Sequence, residues 1–453
     1  MSRKLSLGEI VAKFLLNTCR LCPPSRSRRS VDAAAWSSGF ATLISNDTDA
    51  VWISLATGSV AEFYIEPMLP HLGDIDVMIH LNSLLAIPRG HPPPTQLPAE
   101  FYNYVKVLEI IDSHLPGYVY LELRYLLTEC SDDDKYNVVE YDKWLYLPNH
   151  SHSFYRTDSD IHGPATTIPG THDAHETVSL PCDIVCCVRC LSWPSQAAGW
   201  PTRHRNYSRP DSATVDRVVS NGCDVVGVAH RQCKQDEWMS ENQWRLSFSR
   251  AEIALINSWM PVQQIAYHML RVYAKSVQLT KSADNSEALS NYHIKSLILW
   301  ACELKPRSWW TDVNLVMICA QLLHDLAERL TCGQCPHYFV QNCDLIDNSF
   351  NVANIRDQLT STDETWLSTW FADNYVRKCS QLVDCPQDVS RLFDDATTSV
   401  KLQNAVSALV DWRQNRSVVD SWAAFDAAEI CIPSIVYKRP LTARSCVCWM
   451  TEW

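Results

Sequence analysis

The sequence has no apolar run long enough to cross a membrane. Its longest candidate, "VNLVMICAQLL" at 313–323, is about half the length that a spanning helix needs. An excess of positive charge is also missing, because 39 Lys and Arg stand against 51 Asp and Glu and the net charge is −12. No global field therefore draws the chain to nucleic acid or to an anionic membrane, and any such contact requires a local basic patch.

A regular disulfide framework is absent as well. The 19 cysteines are scattered, and no signal-peptide pattern accompanies them. We therefore expect reduced thiols and a cytoplasmic protein. One group has the ligand types of tetrahedral zinc, but a short hairpin must bring its members together, and nothing else marks a zinc ribbon. Two interpretations of this group stay open, a zinc site and four side chains with structural roles. The group comprises Cys332, Cys335, His337 and Cys343.

The first half of the chain has the pattern of a strand-rich domain. A length of 453 residues predicts two or more domains, and an apolar content of 46% predicts a sizeable core. The polar stretch 149–181, which holds five histidines, predicts an exposed loop or hairpin. Short β-branched and aromatic runs bounded by Gly, Pro or Asp predict strands at 50–56, 74–81, 117–127 and 182–191.

Helical periodicity marks both ends of this strand-rich part. The basic residues 1–30 predict an amphipathic helix, with an organelle transit peptide as the alternative. From about Arg245 onward the apolar period becomes helical, and Ser249 and Glu252 have the spacing of a capping box. A mixed α/β lobe followed by a helical lobe indicates a ligand-binding cleft between the two.

Two aspartates stand one residue apart in the apolar segment "GDIDVMIH". On a strand, alternate side chains share a face, so Asp74 and Asp76 point together while Ile75 and Val77 point into the core. Two neighbouring carboxylates repel each other unless a cation or hydrogen bonds compensate them, and Mg²⁺ prefers oxygen ligands. The pattern predicts a metal-binding pair, and a strand edge or capped turn is the alternative.

Two further features belong with this pair. The strand at 182–191 is apolar except for Asp183 and Arg189, so it directs a third carboxylate toward the cleft. Gly58 and Ser59 follow the first strand and form a turn whose N–H groups and hydroxyl can hold a triphosphate. Together these features favour metal-dependent nucleotidyl transfer.

The segments that carry these residues resemble the Mab (male-abnormal) nucleotidyltransferase family, which contains cyclic GMP-AMP synthase and the animal cyclic GMP-AMP synthase-like receptors. The resemblance runs from about Ser54 to Asp347, and its most specific blocks are "WRLSFSRAEIALI" and "LSNYHIKSLILWACE". It implies a bilobal fold, α/β and then all-α, with the active site in the cleft. The implied domains are an N-terminal helix at 1–30, a nucleotidyltransferase core at 31–242, a helical lobe at 243–390 and an extension at 391–453.

The resemblance also implies a role for each matched residue. Aspartate stands at position 74 where the synthase has glutamate, Asn291 replaces a serine, and Arg271 lies about one residue from an expected lysine. The structural alternative for Tyr292 is packing between the lobes, and for Arg245 it is an ion pair with an interface carboxylate. The catalytic acids that hold Mg²⁺ or Mn²⁺ would be Asp74, Asp76 and Asp183, and the nucleotide-binding residues would be Gly58, Ser59, Arg245, Ser247, Arg271, Asn291 and Tyr292.

The departures from the synthase narrow the expected function. Its zinc insertion is replaced here by "NSWMPVQQIAYHML", which has no cysteine, so double-stranded RNA is a more natural activator than DNA. All three acids are present, which favours an enzyme that joins two nucleoside triphosphates, such as ATP and GTP, into a cyclic dinucleotide like 2′3′-cGAMP. The resemblance implies that this product acts on a downstream receptor in innate immunity. A catalytically silent Mab scaffold that binds a nucleotide or a protein partner is the alternative.

Two short basic runs are candidates for a contact with nucleic acid. In each run several arginines stand close together, and in the second they alternate with aromatic residues. Two ordinary solvated faces are the alternative. The candidate residues are Arg26, Arg28, Arg29, Arg203 and Arg205.

Overall fold

A mixed sheet and a helical lobe pack against each other in the computed structural model. The residues that the structure describes are 6–18, 52–58, 75–130, 135–141, 145–149, 161–162, 165–168, 182–234, 237–277, 279, 289–346 and 353–372. The predicted site residues that lie outside these ranges are Arg26, Arg28, Arg29, Ser59 and Asp74.

The sheet is built around the long strand β2. The described strands follow the order β1-β2-β3-β4-β10-β9-β8-β7-β6, with β5 paired to β4. Strand β2 is parallel to both β3 and β8, and its pairing with β8 closes the path into a ring. The strands are β1 Trp52–Thr57, β2 Ile75–Pro88, β3 Tyr104–Asp112, β4 Tyr118–Glu129, β5 Tyr136–Glu140, β6 Ile161–His162, β7 Ala165–Ile168, β8 Cys182–Cys190, β9 Cys223–Val226 and β10 Gln243–Ser247.

Helices flank the sheet and form the second lobe. Within the described residues, the N-terminal helix α1 packs on α5, α7 and α9 through Val11, Ala12 and Leu15. No helix of the described part is long and apolar enough to span a bilayer. The helices are α1 Leu7–Thr18, α2 Ser212–Ser220, α3 Trp238–Asn242, α4 Ser249–Asn257, α5 Pro261–Ser276, α6 Asn291–Leu304, α7 Leu315–Cys332, α8 Ala353–Thr360 and α9 Glu364–Phe371.

The sequence pattern predicted the principal elements. Strands β1, β2, β4 and β8 and helices α1, α5, α6 and α7 lie where periodicity indicated them. The pairing of β6 with β7 forms a hairpin inside the polar stretch. The boundary predicted at 242 divides the sheet, because β10 pairs with both β4 and β9, so the α/β lobe extends at least to Ser247.

The capping box predicted at the start of α4 is wrong. No side chain caps this helix, and Ser249 is its first residue. The Oγ atom of Ser249 lies 3.1 Å from Oγ of Ser247, and the carboxylate of Glu252 accepts a 2.7 Å hydrogen bond from Nζ of Lys295 on α6. A tertiary ion pair has therefore replaced the local cap.

A buried ion pair fixes α4 to the sheet. Asp224 on β9 is completely buried, and its Oδ2 accepts a 2.9 Å hydrogen bond from Nε of Arg250 on α4. Arg189, opposite Asp224 in the β8–β9 register, donates hydrogen bonds of 2.7 Å to the carbonyl groups of Cys190 and Cys223. Because β10 runs directly into α4, this contact determines where the end of β10 lies.

Replacing Arg250 tests this contact. Arg250→Met leaves the buried carboxylate of Asp224 without its cation, and we expect the free energy of unfolding to fall by about 3–5 kcal/mol. The double variant Arg250→Met/Asp224→Leu removes both charges and should recover most of that loss. Urea unfolding measures both effects, and equal stability of wild type and Arg250→Met would contradict the assignment.

Candidate active site

Two carboxylates lie side by side on neighbouring parallel strands. Asp76 on β2 and Asp183 on β8 are direct register partners, so their Cα atoms are about 4.8 Å apart and both side chains leave the same face. Both residues are half-buried, whereas Val77 and Ile184, on the opposite face, are buried. The third predicted acid, Asp74, lies outside the described residues.

Gly58 lies directly against this carboxylate pair. Strand β1 ends at Thr57, the register partner of Asp76, and Gly58 then adopts a left-handed conformation with φ of +57°. A Cβ atom at position 58 would overlap the carboxylate group of Asp76. Glycine is therefore required here for two reasons, its positive φ and the closeness of the acid.

Strand β10 adds two polar residues to the same sheet face. Ser247 pairs with Asp224, which in turn pairs with Arg189 on β8, and alternation places Arg189 on the face of Asp183. The Oγ atom of Ser247 lies 3.9 Å from Sδ of Met78, two residues beyond Asp76. By the same alternation, the exposed side chain of Arg245 lies on this face.

Arg245 lies between the sheet and the helical lobe. Burial and then the charge of Arg245 lower the pKa of His337 to about 3. The Oη atom of Tyr292, in the first turn of α6, is 2.9 Å from Nε2 of His337. The neighbouring Asn291 is exposed. The fold thus brings Asn291, Tyr292 and Arg245 into one region, at the edge of the face that carries the acids.

Arg271 lies on α5 within the helical lobe. Its guanidinium is 5.6 Å from the ring centroid of Tyr267, one turn earlier on the same helix.

Burial raises the pKa of the Cys186 thiol on β8 to about 12, and burial also lowers the pKa of His80 on β2 to about 4. Near neutral pH Cys186 is therefore a protonated thiol and His80 a neutral imidazole.

His337, one of the four side chains considered for zinc, has other hydrogen-bond partners. Nε2 of His337 bonds to Tyr292, and its Nδ1 accepts hydrogen bonds from the N–H groups of Phe339 and Val340 at 3.1 and 3.0 Å. Both ring nitrogens are therefore occupied. Cys335 is buried and Cys332 is exposed. Within the described ranges, no group of three His, Cys, Asp or Glu residues suits a metal ion.

Arg203 and Arg205 form an internal ion pair with one carboxylate. Nη2 of Arg203 and Nε of Arg205 lie 2.6 and 3.4 Å from Oε2 of Glu303, which is buried on α6. The guanidinium of Arg203 also stacks on the rings of Trp300 and Tyr338, with distances of 4.3 and 4.4 Å to their centroids. Both positive charges are paired with Glu303 inside the protein, so the structure gives both arginines a role other than contact with nucleic acid.

Three residues at the edge of the site were missed from the sequence. His337, Glu252 and Lys295 all surround Tyr292, but they come from a hairpin and from two different helices. Glu252 was assigned to a helix cap and His337 to a zinc group, because sequence spacing shows only local partners. Nothing in the sequence marks Tyr292 as their common neighbour.

Comparison with protein families agrees with the two lobes. A sheet that presents paired carboxylates, followed by a helical lobe, defines a nucleotidyltransferase-like protein. Residues 138–258 match the Mab-21 protein nucleotidyltransferase domain, and residues 263–364 match the Mab-21 protein HhH/H2TH-like domain. The chain belongs to the Mab-21 family. The first match includes Asp183, Arg245 and Ser247, and the second includes Arg271, Asn291 and Tyr292.

Alanine at position 58 tests the contact between the glycine and the acid. We expect Gly58→Ala to destabilise the protein by about 1–2 kcal/mol for the left-handed backbone and by about 1–3 kcal/mol more for the overlap with Asp76. Gly333→Ala is the matched control, because Gly333 has φ of +62° and open space around its Cα. It should lose only the first amount in urea unfolding. Equal losses would show that the acid does not pack against position 58.

Proposed function

We propose that this protein is a nucleotidyltransferase that joins two nucleoside triphosphates into a cyclic dinucleotide and releases pyrophosphate. The observation that carries the proposal is the register of Asp76 with Asp183, which places two carboxylates side by side on one face. A pair of carboxylates on one face provides the oxygen ligands that a divalent cation prefers, and metal-dependent nucleotidyl transfer uses such a cation. The match to a nucleotidyltransferase domain supports the same reaction class.

The residues present suit Mg²⁺ or Mn²⁺. Asp76 and Asp183 provide the oxygen ligands that these ions prefer, and Asp74 immediately precedes β2 in the sequence and would complete the set. When bound, the metal supplies positive charge that stabilises the triphosphate and favours the ionised form of a ribose hydroxyl.

The surrounding residues bind and orient the nucleotides. Gly58 and Ser59 provide backbone N–H groups and a hydroxyl for the phosphates. Arg245 and Ser247 lie on the acid-bearing face and contact phosphates or bases, and the ring of Tyr292 stacks on a nucleobase. Asn291 is exposed beside Tyr292 and contributes to the choice of base or sugar. Arg271 provides a further phosphate contact.

Double-stranded RNA is the proposed activator. Because Arg203 and Arg205 share the buried Glu303, the proposed RNA contact depends mainly on Arg26, Arg28 and Arg29. A contact made by arginines to phosphates weakens steeply as salt increases. The cyclic product would act on a downstream receptor in innate immune sensing, and the reaction would take place in the cytoplasm.

A product assay tests the reaction. The protein is incubated with labelled ATP, GTP, CTP and UTP and Mn²⁺, with and without double-stranded RNA or DNA. We expect a phosphatase-resistant cyclic product whose yield falls in Asp76→Asn and Asp183→Asn by more than the roughly 10- to 100-fold that loss of a supporting residue around a metal costs. Asp216→Asn, which changes an exposed acid on α2, is the matched control and should keep full activity.

Three outcomes would contradict parts of the proposal. If wild type makes no product with any ligand but binds nucleotides, the protein is a silent nucleotide-binding scaffold. If product forms equally in Asp76→Asn and wild type, the acid pair is not the catalytic centre. RNA stimulation that survives charge reversal at Arg26, Arg28 and Arg29 would exclude these arginines as the RNA contact.

A further inference from the structure

We propose that His337 is a positioning residue that fixes the ring of Tyr292 for stacking on a nucleobase. This inference rests on the proposed function, because it presumes that Tyr292 contacts a nucleotide. It adds a residue from outside the acid-bearing sheet, on a hairpin that follows α7, to the machinery that selects or holds the base.

The hydrogen-bond pattern defines the direction of the contact. Two backbone N–H groups, from Phe339 and Val340, point at Nδ1 of His337 at 3.1 and 3.0 Å, so Nδ1 is an acceptor and carries no proton. The remaining proton of the neutral ring is therefore on Nε2, which donates to Oη of Tyr292 at 2.9 Å. The phenol must then direct its own proton to a different acceptor.

The carboxylate of Glu252 on α4 lies beside this phenol. Burial, followed by the negative charge of Glu252, raises the pKa of Tyr292 well above its ordinary value of 10. Glu252 itself is held by Nζ of Lys295 at 2.7 Å. Tyr292 thus accepts a hydrogen bond from the hairpin and keeps its own proton at neutral pH.

The hairpin that carries His337 is itself anchored. Pro336 and Asp344 form a β-bridge, and the N–H group of His337 donates to the carbonyl oxygen of Cys343 at 2.8 Å. The ring of Phe339 stacks on Phe248, directly after β10, with a centroid distance of 4.6 Å and an angle of 15°. These contacts therefore connect the position of Tyr292 to the strand that carries Arg245.

Such an arrangement pre-organises the aromatic ring. A Tyr side chain that is free to rotate must be ordered when a base stacks on it, whereas a ring already held loses little further freedom. From the usual cost of immobilising one side chain, removal of the hydrogen bond should weaken nucleotide binding about two- to tenfold. Binding of the phosphates alone should not change.

The experiment is a double-mutant cycle on full-length protein. The probes are 2′,3′-dideoxy-ATP and 2′,3′-dideoxy-GTP, which lack the ribose hydroxyls needed for reaction, and inorganic tripolyphosphate, which lacks a base. The variants are Tyr292→Phe, His337→Asn and the double variant, and calorimetry with Mn²⁺ gives each Kd. His337→Asn keeps an acceptor near the hairpin N–H groups but removes the donor to Tyr292.

His293→Asn is the matched control. His293 is the residue after Tyr292 and is also buried, but its Nε2 bonds to the carbonyl of Leu345 and its Nδ1 lies 2.8 Å from Oγ of Ser290. We expect His293→Asn to leave the dideoxynucleotide Kd unchanged. Tyr292→Phe and His337→Asn should each raise the dideoxynucleotide Kd two- to tenfold. The Kd of the double variant should be no higher than that of the single variant that binds more weakly. The Kd of tripolyphosphate should be the same in all variants.

Four results would overturn the inference. Multiplicative effects in the double variant would show that the two residues act independently. A loss of tripolyphosphate binding in His337→Asn would show a general structural effect. If wild type binds dideoxynucleotides no better than tripolyphosphate, both the base contact in the proposed function and the positioning role are contradicted. If wild type binds dideoxynucleotides more tightly and His337→Asn has the same Kd, the positioning role alone is contradicted.

Discussion

The parallel pairing of β2 with β8 is the constraint on which the candidate site depends. It sets Asp76 beside Asp183, and because side chains alternate along a strand, one register fixes both carboxylates on the same face. A shift by one residue would turn Asp76 inward and replace it with Ile75 or Val77. Both acids are half-buried, and a divalent cation bound between them would offset the repulsion of their charges.

The second requirement is a fixed relation between the sheet and the helical lobe. The ion pair of Asp224 with Arg250 holds α4 on β9, and α4 in turn presents Glu252 to α6. The stack of Phe339 on Phe248 holds the hairpin against the same region. Two ion pairs and one aromatic stack thus connect the acid-bearing face to the neighbourhood of Tyr292.

Sequence reasoning found the elements that depend on short-range pattern and missed those that depend on distant partners. Alternation along apolar runs was sufficient to find β2 and β8, whereas the pairing that sets Asp76 beside Asp183 is a tertiary contact that the structure adds. Strand β10 was assigned to the helical lobe, because "WRLSFS" runs without a turn into α4. Arg203 and Arg205 were taken for surface charges, since their partner Glu303 lies on a distant helix. Tertiary contacts of this kind leave no periodic signal.

Mn²⁺ binding, followed by electron paramagnetic resonance, tests the central claim that the paired carboxylates form a divalent-cation site. The wild-type chain is titrated beside the double variant Asp76→Asn/Asp183→Asn and beside Asp216→Asn. We expect wild type and Asp216→Asn to bind Mn²⁺ equally and the double variant to lose the tightest site. Undiminished Mn²⁺ binding in the double variant would contradict the claim, because the cation would then be bound by other residues.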